Sequence, residues 1–127
     1  MYKIKSIYET PEEADGFRIL VDRSWPGYVS KDEAKLDLWI KDVAPSKGLV
    51  EWFDDSDKWD EFQERYLEEL KEKKELIKQL RILEKFNSTV TLVHSTNDGE
   101  KNRALVLLKL LEKPPNVIKI NIPRIHG

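Results

Sequence analysis

Apolar and polar residues alternate with a period that changes several times along the chain, and each change marks an element. Tyr2 to Tyr8 alternates residue by residue, the pattern of a short strand. Thr10-Pro11-Glu12-Glu13 has the marks of a helix start, with Thr10 as cap, but Asp15-Gly16 stops it within about a turn. Ile19-Leu20-Val21 is a continuous apolar trio, which predicts a strand over 18–22 buried on both faces. Ser30-Lys31-Asp32-Glu33 forms a capping box ahead of a short helix carrying Leu36, Trp39 and Ile40 at helical spacing. After Pro45, Ser46 caps another helix with Leu49, Trp52 and Phe53 on one face.

Ser56 then opens the longest helical stretch, where Trp59, Phe62, Tyr66 and Leu70 make one stripe. Leu76, Ile77, Leu80 and Leu83 make a second, so a break near Lys73 is expected. Thr89 to His94 is β-branched and apolar, a second buried strand. Asp98 is the expected cap of a helix reaching about Lys113, ended by Pro114-Pro115. Asn116 to Ile122 alternates as a last strand.

The long helical stretch between the strands at 18–22 and 89–94 is enough for a parallel crossover. The first two strands have too short a connector for one, and are expected to be antiparallel or not adjacent. The expected fold is α/β: one domain over 1–127, with a small, mostly parallel sheet and helices packed on it.

That fold says where chemistry belongs. In an open α/β sheet, ligands bind outside the carboxyl ends of the strands. One such end supplies Asp22, Arg23, Ser24 and Trp25; the other supplies His94, Ser95, Thr96, Asn97 and Asp98. Arg23 is the expected grip on a small anion, with Trp25, Ser95, Thr96, Asp98, Gly99 and Asn102 around it. The helix start near Gly99 adds free N–H groups and a dipole that favours an anion. Asp22 and His94 are the candidates for handling a proton. Each has a plainer role: Asp98 as a helix cap, Asp22 and Arg23 as an ion pair, His94 as a hydrogen-bonded structural residue, Arg103 as a solvated charge.

Composition narrows the chemistry. Cysteine is absent, which removes disulfides, thiolate nucleophiles and thiolate metal sites. The two histidines lack metal-ligand spacing, so no metal site is expected, and no cofactor is specified. No phosphate-cradling glycine loop and no nucleophile elbow is present. With a net charge of −2, broad nucleic-acid binding is disfavoured, although the segment from Lys113 onward carries Lys119 and Arg124 and no acid. No hydrophobic stretch resembles a signal core or a membrane span, so a cytoplasmic location is expected. Charged residues reach 36%, an excess of Lys and Glu seen in heat-adapted proteins and equally in lysine-rich, well-solvated surfaces.

Phe17-Arg18-Ile19-Leu20-Val21-Asp22-Arg23-Ser24-Trp25-Pro26 resembles the opening motif of the YeaO-like family, domain of unknown function 488. Leu36 to Ser46, the pair Trp52-Phe53, and Thr91-Leu92-Val93 with Asp98, Asn102 and Ala104 carry the likeness on, over about residues 2–111. It implies a fold and no reaction. Where the family usually reads Trp-Pro-Arg-Gly, Gly27 and Tyr28 follow Pro26 here; Lys101 stands where an aromatic or histidine is common, and His94 where Tyr is frequent. Two functions follow as expectations: a ligand-binding or enzymatic site for a small phosphate- or carboxylate-bearing anion, or a non-catalytic interaction or regulatory module presenting aromatics such as Tyr28.

Overall fold

The computed structural model describes residues 1–96, 99 and 101–113. Strands β1 (Tyr2–Ser6), β2 (Phe17–Leu20), β3 (Leu38–Trp39) and β4 (Val90–His94) form one sheet in the order β1-β4-β2-β3. All three pairings are parallel. The two buried strands thus lie side by side, with Ile19 opposite Leu92. β1 and β2 are not adjacent, because β4 lies between them, and they run parallel. The connector crosses β4 with a single 3-10 turn, Glu13–Asp15, in place of a full helix. Gly16 makes the tight entry into β2: its φ is +65°, and a Cβ there would come within 2.5 Å of the Thr89 carbonyl oxygen.

Helices α2 (Lys47–Ser56), α3 (Trp59–Lys71), α4 (Lys74–Asn87) and α5 (Arg103–Glu112) share one core with the sheet. Ile19, Val90 and Leu92 meet Phe62, Tyr66, Leu70, Leu80, Leu107 and Leu111 there, all with 2% exposure or less. Leu20, Val93 and Ile7 form a smaller cluster with Ala34 of α1 (Lys31–Ala34). Trp25, Trp39, Trp52 and Trp59 pack half-buried against these clusters, as their bulk and polar N–H groups favour.

Three expectations are corrected. Leu36, Trp39 and Ile40 do not continue a helix: Lys35 turns left-handed (φ 46°) and ends α1. The Asp37 carboxylate then takes the Arg18 N–H at 2.8 Å, and Leu38–Trp39 pairs with β2 as an edge strand. Ser56 closes α2 rather than opening α3, because Asp57 is left-handed (φ 52°); α3 begins at Trp59 with no side-chain cap. The last described helix starts at Arg103, capped by Asn102, whose side chain accepts the Ala104 N–H at 2.9 Å. Asp98 and the strand expected over 116–122 lie outside the described residues. The break at Glu72 and Lys73, and the capping of α2 by Ser46, are as expected.

Candidate functional site

The parallel strands end at one edge, and a cavity of about 510 Å³ opens there. The loop after β2 contributes Asp22, Arg23 and Trp25; the last residue of β4 and the loop after it contribute His94, Ser95 and Thr96. These six anticipated residues therefore share one hollow. Gly99 and Asn102 do not line it. They face a smaller hollow of about 280 Å³ behind the β4 loop, and His94 and Thr96 form the wall between the two.

Asp22 and Arg23 are not an ion pair. One oxygen of Asp22, Oδ2, accepts both the N–H of Ser95 (3.0 Å) and its hydroxyl, which ties the two strand ends together. Arg23 donates from Nε to the Pro45 carbonyl (3.2 Å) and from Nη2 to the Ala44 carbonyl (3.1 Å). Those acceptors are neutral, so its charge is fixed in place and not cancelled. The segment they belong to is itself held: Tyr66 donates its hydroxyl to the Val43 carbonyl at 2.7 Å, and Glu69 accepts the N–H and hydroxyl of Ser46. Burial pushes the Tyr66 phenol far above its ordinary range; Glu69 adds to that, and Arg103 and Arg23 oppose it. Tyr66 is a neutral donor in the wall.

His94 is 7% exposed. Its Nδ1 accepts the Thr96 N–H at 3.1 Å. The Asn102 amide nitrogen lies 3.0 Å from Nε2 and 3.4 Å from Nδ1, oriented by the bond from Ala104 N–H to its oxygen. The Thr96 N–H occupies Nδ1, which opposes a proton there and leaves the neutral ring's proton on Nε2. Burial lowers the imidazole below its ordinary value, against the pull of Asp22 and Glu9.

Further lining residues are Lys47 and Glu51 on α2, Tyr66 on α3, and Arg103 on α5, which the sequence offers only as a solvated charge. Lys47 and Glu51 stand 4.0 Å apart and largely offset one another. Arg103 differs. It is half-buried at the first position of α5, and no protein group among the described residues accepts a hydrogen bond from it. One signal pointed to it. A helix start carries partial positive charge and favours acidic residues. The first turn of α5 has none, and places a cation there instead. Among the described residues no three His, Asp or Glu side chains gather as a metal site, and no helix is long and apolar enough to cross a membrane.

The match to known proteins extends along the chain. Residues 1–119 match the model of the inactive DUF488-N3 subclade. An uncharacterised protein of Mycobacterium tuberculosis is 39% identical over 110 residues, covering 86% of this chain and 92% of its own length. The uncharacterised protein YeaO of Escherichia coli is 38% identical over 104 residues, covering 81% and 90%. No solved structure gives a significant match. The chain thus belongs to the YeaO-like family of DUF488 proteins, and within it to the subclade described as inactive.

Proposed function

We propose that the protein binds a small organic anion, bearing phosphate or carboxylate, at the carboxyl ends of its central strands, without chemical turnover. One observation carries this reading: Arg103 lines the cavity as a half-buried guanidinium with no acceptor among the described residues. With Lys47 and Glu51 offsetting each other, Arg23 and Arg103 stand against the single carboxylate of Asp22. The local balance is positive in a chain whose net charge is −2. The positive end of α5 adds to it.

The two side chains that could move a proton also hold the β4 loop in place. Oδ2 of Asp22 holds Ser95, and Nδ1 of His94 takes the Thr96 N–H. In this reading both position the β4 loop, in keeping with a subclade described as inactive. The test is a thermal-shift titration with inorganic phosphate and simple carboxylates on the wild-type protein and on Arg103→Ala. A native-state ligand at ten times its Kd adds about 1.4 kcal/mol of stability. The wild type should show such a rise and Arg103→Ala should not. Equal rises in both would remove the site from this cavity.

The interaction-module reading rests on a different observation. Tyr28 is fully exposed and held at a φ of 67° on the loop beside the cavity. A non-glycine residue in that conformation carries strain that is often retained for a function.

A further inference from the structure

Asp22 takes both of its donors on one oxygen, Oδ2. Its other oxygen, Oδ1, meets no donor among the described residues. No side-chain oxygen or nitrogen shut away from solvent lacks a partner among those residues. Oδ1 is therefore solvent-accessible, and Asp22 lines the cavity that Arg23 and Arg103 also line. The cavity thus combines two guanidinium groups with spare donors and one carboxylate oxygen with spare acceptor capacity. A bare anion satisfies only the first half and is repelled by the second. An ionised carboxylate is acceptor-only, so the matching ligand atom is a donor.

We infer that the ligand is a hydroxylated organic anion: its phosphate or carboxylate lies on the guanidinium side, and a hydroxyl donates to Asp22 Oδ1. This rests on the proposed anion site and adds the class of ligand. With the ligand's carboxylate or singly ionised phosphate bound, Arg23 and Arg103 are balanced by that anion and Asp22, so a neutral hydroxyl keeps the site balanced where an ammonium would leave an excess positive charge. The Ser95 N–H and hydroxyl leave room for this third donor, since a carboxylate accepts about four hydrogen bonds.

Three phosphate monoesters separate the possibilities by isothermal titration calorimetry on the full chain. Propyl phosphate supplies the anion alone, glycerol phosphate adds hydroxyls, and phosphoethanolamine adds an ammonium. Glycerol phosphate should bind about tenfold tighter than propyl phosphate, the usual worth of a hydrogen bond to a charged group. Asp22→Asn should erase that preference and tighten propyl phosphate, because it removes the repulsion. Ser95→Ala should keep the preference, since it leaves Oδ1 in place. Equal binding of glycerol and propyl phosphate by the wild type would overturn the inference while leaving the anion site standing. Tighter binding of phosphoethanolamine would overturn the choice of hydroxyl. Failure of all three, and of the carboxylates propionate and glycolate, to bind would overturn both readings. The comparison between ligands is made on the wild type, so it stands even if Asp22→Asn fails to fold.

Discussion

Arg18 and Arg23 are five positions apart on the segment formed by β2 and the loop after it, and they meet opposite fates. Arg18, 3% exposed, has spent its guanidinium: Nη1 goes to Asp15 (2.7 Å), and Nε and Nη2 go to the Ala34 carbonyl (3.2 and 2.9 Å). Asp15 is equally full, taking Lys5 and the Glu12 N–H besides. The Thr91 hydroxyl donates to its carbonyl. Arg23 keeps an uncancelled charge, and Arg103 beside the same cavity has no acceptor among the described residues. One region closes on itself, as buried charges must if they are not to destabilise the fold. The other leaves donors and an acceptor open at the edge where parallel sheets bind ligands. A polar cluster is thus read by what remains unpaired in it.

The sharpest way to break the contrast is Arg18→Ala. It strips Asp15 and the Ala34 carbonyl of their main partner inside the fold. Removing one member of a buried pair costs on the order of 3 kcal/mol, and urea denaturation should show a loss of that size. A loss under about 1 kcal/mol would mean that the closed cluster does not hold the sheet.

The open region should answer in the opposite way. Arg103→Ala should cost no stability and raise it by a few tenths of a kcal/mol, because it removes a cation from a helix start. The same change should abolish the phosphate-induced rise in Tm. A destabilised free protein would place Arg103 with Arg18 as a structural residue.

Arg23→Lys lies between these extremes. It keeps the charge but loses the geometry that reaches the Ala44 and Pro45 carbonyls together. The free protein should lose about 1 kcal/mol, and phosphate should bind several-fold more weakly. Unchanged binding would leave Arg103 as the sole anchor.

The legible parts of this molecule are those decided locally. Ile19-Leu20-Val21 and Thr91-Leu92-Val93 are apolar on both faces, so their strand character and their polar ends showed in the sequence. Asp22, Arg23, Trp25, His94, Ser95 and Thr96 followed from those ends and do line one cavity. Distant contacts hid the rest. Leu38–Trp39 became a strand because Asp37 reaches the Arg18 N–H, a contact no periodicity shows. Ser95 to Asn102 offers several capping side chains; Asn102 caps α5 and also reaches His94, a contact that sequence spacing does not show. Lys47, Glu51 and Tyr66 enter the site from helices far away in the chain, and only the fold brings them there.

Proton concentration separates the two regions as well. Burial holds His94 below its ordinary value of 6.5, so in the native state it stays neutral after the unfolded chain has begun to bind a proton. The unfolded state then carries more protons, and stability falls as pH drops below about 6.5, by at most about 1.4 kcal/mol per pH unit. Asp15 behaves in the opposite sense. Burial alone would raise it, but the Glu12 N–H, Lys5 and Arg18 outweigh burial and hold it below its ordinary 3.8. Its contribution is complete above that value and is lost only as pH falls through the lower native one. Urea midpoints measured from pH 7.5 down to 3 should therefore decline in two stages, the first belonging to the open region and the second to the closed one. His94→Gln, which cannot titrate, should flatten the first stage and leave the second. A first stage that survives His94→Gln would assign it to another group and remove the neutral histidine from the wall of the site.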